Sequence, residues 1–239
     1  MRTTDNKPIS KTRLLALLKD LDWRAVKAAL EEQPDLRNYR GDKGENLLHL
    51  CCGIEIEKRG LSGADSVKMA GVLLDASFDI NREAFTEGDW KATPLWYSIG
   101  RGKNLELAKY LLKRGADPEH CLWAAAFNNS PAAVKLLVRA KAVLDPPGGD
   151  TPFIFAVKWS RFESAKALLD AGANVNFQDR FGKTALHYAL KKRSAPEYVQ
   201  MLLEHGARLD LRDCDGVTAG GLLSHLRSPA YQKLANAYC

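Results

Sequence analysis

Apolar residues recur along this chain at helical spacing, in short stretches that come in pairs. After Thr151, the residues Phe153, Ala156 and Val157 fall at i, i+3 and i+4; after Thr184, Leu186, Ala189 and Leu190 do the same. Each stretch is followed by a second apolar helix with a common ending. One ending reads Ala167-Leu168-Leu169-Asp170-Ala171-Gly172-Ala173, and the next reads Met201-Leu202-Leu203-Glu204-His205-Gly206-Ala207. An earlier copy reads Tyr110-Leu111-Leu112-Lys113-Arg114-Gly115-Ala116. The entries match too: Thr93-Pro94-Leu95-Trp96, Thr151-Pro152-Phe153 and Thr184-Ala185-Leu186-His187. The step from Thr151 to Thr184 is 33 residues, and from Thr184 to Thr218 it is 34. A period of that size marks a repeat array. A threonine hydroxyl caps a helix N-terminus, and proline at the first helical position is preset for it. The glycine of Gly-Ala adopts the left-handed conformation that ends a helix. One such unit cannot bury both of its helices alone, so neighbours must stack.

These motifs resemble the ankyrin repeat. The resemblance implies an all-α ankyrin-repeat solenoid of stacked antiparallel helix pairs with β-turn fingers. It covers residues 1–239 as one domain: capping helices over 1–41, five repeats over 42–212 and a C-terminal cap over 213–239. The cap helices are expected near 14–19 and 23–32. The first unit opens at Asn46-Leu47-Leu48-His49, and the third at His120-Cys121-Leu122-Trp123. His49 and His187 stand where the family places a turn-stabilising histidine, whereas Trp96 and Trp123 replace it in the units between. An insertion at 54–65, rich in charge and glycine, reads as a surface loop that is either tolerated or a binding element. A long finger at 81–90 carries Phe85 and Trp90, two candidate interface anchors. The step from Thr93 to His120 is only 27 residues, so the finger there is nearly absent.

Composition narrows the function. Hydrophobic residues make up 46% of the 239 and charged residues 27%, which is ordinary for a folded chain. No apolar run is long enough to span a bilayer, and the N-terminal apolar patch is broken by Asp20 and Asp22, which leaves no secretion signal. The five cysteines are Cys51, Cys52, Cys121, Cys214 and Cys239, an odd count with no Cys-x-x-Cys pair. No disulfide framework or zinc site is expected, and the cytoplasm is the expected compartment. His49, Cys51 and Cys52 read as core residues rather than metal ligands. There is no Walker loop, nucleophile elbow or metalloprotease helix, so neither catalysis nor a cofactor is expected. A net charge of +6 favours an acidic partner, but without a dense basic run nucleic acid is not the expected one.

The face opposite the buried stripe carries the candidate site. It holds Tyr97 and Arg101 in the second unit, Phe127 and Asn128 in the third, Phe155, Lys158 and Trp159 in the fourth, and Tyr188, Lys191 and Lys192 in the fifth. In the ankyrin family this face lines a concave groove, and aromatic and basic side chains are common interface anchors. The other reading packs Tyr97, Phe155 and Tyr188 between neighbouring inner helices. The expected function is therefore non-enzymatic binding of a protein partner with an acidic surface by a monomer, as adaptor or inhibitor. An immunity or antitoxin protein that neutralises an enzyme is one alternative, and an accessory domain of an enzyme is another.

Overall fold

Side-chain caps set most of the helix starts. Ser10, Asp22, Asn46, Ser62, Thr93, Asn104, Ser130, Thr151 and Thr218 each accept a hydrogen bond from the backbone N–H three residues on. Each such cap is worth about 1 kcal/mol. Proline follows directly at positions 94, 131 and 152. Outer helices end on glycine in the left-handed region: Gly115 at φ +92°, Gly172 at +97° and Gly206 at +83°. Ser77 and Lys141 hold the same place at +69° and +64° without being glycine.

The computed structural model describes residues 8–85, 91–147 and 149–238. Contacts gather the chain into two units, 1–118 and 119–239. The first begins with helices α1 (Lys11–Lys19) and α2 (Trp23–Glu32) and a 3-10 turn at Pro34–Asn38. It continues with α3 (Leu47–Cys52), α4 (Ile56–Arg59), α5 (Gly63–Asp75), strands β1 (Ala84–Phe85) and β2 (Lys91–Ala92), α6 (Pro94–Gly100) and α7 (Leu105–Lys113). Helices α1, α3 and α6 pack in one row and α2, α5 and α7 in a second, each inner helix against its outer partner. Leu14, Leu30, Leu47, Leu48, Met69, Leu73, Leu95 and Leu111 fill the space between the rows. Neighbouring inner helices approach closely at Gly102, just after α6, where a Cβ would stand 2.2 Å from the carbonyl oxygen of Cys52 at the end of α3.

Two expectations change here. The insertion is not a plain loop. It carries α4, stopped by Gly60 at φ +62°, and Ser62 caps α5 within it. The long finger is a short antiparallel pair, with Ala84 opposite Ala92 and Phe85 opposite Lys91. Trp90 lies outside the described residues.

The second unit contains α8 (Cys121–Phe127), α9 (Pro131–Arg139), α10 (Pro152–Lys158), α11 (Phe162–Asp170), α12 (Ala185–Lys191), α13 (Pro196–Glu204), α14 (Ala219–Ser224) and α15 (Pro229–Tyr238). Inner helices α8, α10, α12 and α14 neighbour one another in order. Outer helices α9, α11, α13 and α15 back them, so the degenerate segment at the end forms a complete helix pair. Two fingers share one geometry. In each, an aspartate N–H donates to the carbonyl four residues on, Asp179 to Lys183 (3.0 Å) and Asp213 to Val217 (2.9 Å). They join through a 2.9 Å bond from the Cys214 N–H to the Phe181 carbonyl.

Candidate protein-binding surface

The candidate residues separate by burial. Each inner helix ends on a cap residue: Arg101 after α6 in the first unit, and Asn128 after α8, Trp159 after α10 and Lys192 after α12 in a row in the second. In the second unit this row is open and aromatic. Phe127 is 56% exposed and Trp159 is 61% exposed, on neighbouring helices. Phe155 is half-buried beneath them, its ring centre 6.1 Å from that of Trp159. The guanidinium of Arg161, in the turn after α10, lies 5.9 Å from the Phe127 ring centre. The Lys192 ammonium donates to the Lys158 carbonyl at 2.6 Å and the Ser160 hydroxyl at 2.9 Å, which pins the turn beside Trp159. Lys191 and Arg193 are exposed at the same end, while Asn128 is half-buried.

Not all of the other candidates lie open. Tyr97 is 1% exposed. Its ring meets His49 edge-on at 5.1 Å, and its hydroxyl donates to the Phe85 carbonyl at 3.4 Å. Burial holds its phenol above the usual range. A ring this size on a short helix fills the space between repeats, so Tyr97 is a packing residue. Arg101 covers it, 4.6 Å from the ring centre. Phe85 is 44% exposed on β1, and its N–H donates to the Lys43 carbonyl at 2.9 Å.

Lys158 and Tyr188 form an internal network rather than a solvated basic face. The Lys158 ammonium lies 2.8 and 2.7 Å from the two Asp150 oxygens, 3.4 Å from Asp179 Oδ2 and 4.2 Å from the Tyr188 ring centre. The Tyr188 hydroxyl donates to Asp179 Oδ2 at 2.5 Å. Asp179 also accepts from the N–H groups of Phe181 (2.9 Å) and Lys183 (3.0 Å). Burial alone would raise the Asp179 carboxyl. The hydrogen bonds from Tyr188 and the two N–H groups, with the charge of Lys158, outweigh it and hold the carboxyl below its ordinary value. For Lys158, burial works toward a lower value, and the bonds to Asp150 and Tyr188 turn the net shift upward. Asp150 and Asp179 are missing from the candidates read in the sequence. The pattern Asp-x-x-Gly, at Asp179–Gly182 and again at Asp213–Gly216, was the signal that could have found the finger carboxylate.

His49, Cys51 and Cys52 sit in the core. Burial raises the Cys51 thiol to about 12 and lowers the His49 imidazole to about 4. His49 and His187 both close capping boxes, with Asn46 and Thr184.

A family model of ankyrin repeats in three copies matches residues 121–213, and a single ankyrin-repeat model matches 90–123. The chain is an ankyrin-repeat protein. Ankyrin repeats generally mediate protein–protein interaction and are generally not catalytic. The human ASB11 ankyrin repeat domain superimposes with a TM-score of 0.72 at 22% identity, covering 95% of this chain and 96% of that one. The chain is 29% identical to the phosphocholine transferase AnkX of Legionella pneumophila over 182 residues, 71% of this chain and 18% of that protein. It is 33% identical to human Inversin over 122 residues, 50% of this chain and 11% of that protein. The ankyrin-repeat chain thus matches less than a fifth of either relative's length. Among the described residues, no helix is long and apolar enough to cross a membrane.

Proposed function

We propose that this ankyrin-repeat chain binds a protein partner with an acidic surface, through the aromatic end of inner helices α8, α10 and α12. The observation that carries the reading is the exposure of Phe127 and Trp159 on neighbouring helices, with the Arg161 guanidinium 5.9 Å from the Phe127 ring centre and exposed Lys191 and Arg193 at the end of the next inner helix. Large aromatics on an open face lose contacts that a partner restores, and aromatic and arginine side chains dominate interface energetics. The net charge of +6 adds long-range attraction for an acidic partner. Phe155, whose ring centre lies 6.1 Å from that of Trp159, supports this end, and half-buried Asn128 follows Phe127 at the end of α8. Lys158, Tyr188 and Lys192 contribute by holding the turns, and Tyr97 and Arg101 stand outside the surface.

The test is recovery of a partner on immobilised chain, followed by affinity measurements with two folded variants. Replacing Phe127 and Trp159 together with alanine weakens binding by about 2 kcal/mol or more, the range of interface hot spots. Reversing Lys191 and Arg193 to glutamate slows association and flattens its salt dependence. Unchanged affinity in both, with unchanged melting, rules this surface out.

A further inference from the structure

We propose that the insertion helix α4 builds a second, separate binding site, an apolar groove with a basic rim that receives an amphipathic helix flanked by acidic residues. It does not depend on the Phe127–Trp159 surface.

The insertion interrupts the repeat between inner helix α3 and outer helix α5, yet it is tied down. The Arg59 guanidinium donates to the Lys19 carbonyl at the end of α1 and pairs with Asp20 at 3.1 Å. Gly60, in the left-handed conformation, stops α4 after four residues, and the Leu61 N–H returns to the Ile56 carbonyl at 2.9 Å. This strap walls off a groove of about 570 Å³ against α1 and α3. That volume lies inside the range of ligand-binding clefts, about 300–1,000 Å³. Leu15, Leu18, Leu50 and Ile54 line it. Leu14, Leu47 and Leu48 already fill the core, so Leu15 and Leu50, both half-buried, extend the apolar stripe of α1 and α3 beyond what packing uses.

The rim selects the partner's charge. Lys19, Lys58 and Arg59 border the groove; Glu55 pairs with Lys58 at 2.7 Å and Asp20 with Arg59 at 3.1 Å, which leaves Lys19 as the surplus charge. Lys19 has no ion-pair partner among the described residues. The surplus is positive, so the complementary flank is acidic. A second copy of this chain, itself at +6, is repelled by that rim. The walls are helices and offer no strand edge. An occupant must satisfy its own backbone hydrogen bonds, as a helix laid in a groove does.

The experiment pans a display library of helical peptides, about 16 residues long to supply i, i+3, i+4 and i+7 anchors, on the full chain. The Leu50→Asp variant serves for counter-selection. Clones are expected that carry apolar anchors with acidic flanks. Their affinity should fall about tenfold for Leu50→Asp, the scale of one lost anchor, and several-fold for Lys19→Glu. It should be unchanged in the Phe127→Ala/Trp159→Ala variant. If no clone separates the parent from Leu50→Asp, or the separating clones are basic, the proposal is overturned. Leu50-dependent dimerisation in sedimentation velocity, or Leu50-dependent binding to phosphatidylserine vesicles, without such clones overturns it equally. Should Leu50→Asp fail to show a parental melt, the exposed pair Lys19→Glu and Lys58→Glu decides, and unchanged affinity refutes the site.

Discussion

The two units solve the same local problem with different residues. At a regular finger of the second unit, Asp179 supplies the carboxylate that accepts from the Phe181 and Lys183 N–H groups. At the corresponding turn of the first unit, Gly41 holds that place. Its N–H still donates across the turn, to the Glu45 carbonyl at 2.8 Å, but it has no side chain to accept. The Glu45 carboxylate curls back instead and accepts from the Lys43 N–H at 3.0 Å. The histidines differ in the same way. His187 Nε2 reaches the Val217 carbonyl at 3.2 Å, which ties one repeat to the next. His49 Nε2 is buried beside the longer finger and makes no bond of that geometry among the described residues, though the backbone at Arg82 and Ala92 acts on the imidazole. The second unit ties its repeats through the finger and the capping histidine, whereas the first uses other pairs, the Phe85 N–H on the Lys43 carbonyl at 2.9 Å and the Asn104 amide on the Ser66 hydroxyl at 2.8 Å. Both candidate binding features, the aromatic row and the α4 groove, follow that division: one decorates a regular scaffold, the other is made by an irregularity.

The largest test strikes the tight packing of the first unit. Gly102→Ala places a Cβ against the Cys52 carbonyl, and backbone there cannot yield as a side-chain tip would. A loss of about 3 kcal/mol or more is expected in denaturant unfolding, at the top of the range for overpacking. A loss below about 1 kcal/mol would show that the turn after α6 can shift away from the end of α3 at little cost.

His49 gives a pH test. Its folded value, about 4, lies below the ordinary 6.5. Between those values the unfolded chain binds a proton that the folded chain does not, so stability falls as pH drops from 6.5 toward 4. The fall attributable to His49 is on the order of 3 kcal/mol. His49→Gln retains a side chain able to complete the capping box, and should flatten that limb. A limb of equal slope in the variant removes His49 as its source. Asp179 acts in a different window. Its depressed value stabilises the fold above the unfolded carboxylate range and is lost as pH falls below about 4. Asp179→Ala leaves the Tyr188 hydroxyl and two N–H groups without their acceptor, and about 2 kcal/mol should be lost at neutral pH. Glu45→Ala in the first unit should cost less, since Glu45 accepts the Lys43 N–H where Asp179 accepts two N–H groups, the Tyr188 hydroxyl and the Lys158 ammonium.

The repeat, its capping threonines and its terminal glycines were legible because they are local, and local signals in phase reinforce one another. The exposed Phe127 and Trp159 and the half-buried Phe155 were legible as a face because helical spacing puts them opposite the buried stripe. What the sequence hid was pairing. Lys158 looks like a free cation until the fold brings Asp150 and Asp179 to it. Tyr97 stood open between packing and exposure in the sequence, and the neighbouring repeat, with His49, closes over it. The role of α4 depended on Arg59 meeting Lys19 and Asp20, about forty positions away, and no local pattern announces such a contact.

The smallest effect concerns the residue that ends each outer helix, and it should change sign between positions. Gly172 sits at φ +97° with open space where a Cβ would point, so only backbone strain opposes substitution. Gly172→Val should lose about 1–3 kcal/mol. Gly63→Val, at the first turn of α5 with ordinary φ, should lose less, because the Cβ meets only the flexible carboxylate of Glu106. Ser77 and Lys141 already bear that strain, at φ +69° and +64°, and both are exposed. Ser77→Gly and Lys141→Gly relieve it, while glycine gives the unfolded chain more freedom to lose on folding. The left-handed region costs roughly 1–2 kcal/mol for a residue with a Cβ, and the glycine entropy returns about half of that. A net gain of about 0.5 kcal/mol in each is expected from denaturation midpoints. Destabilisation at Lys141 but not at Ser77 would show that the lysine side chain contributes to the second unit something that its backbone strain conceals.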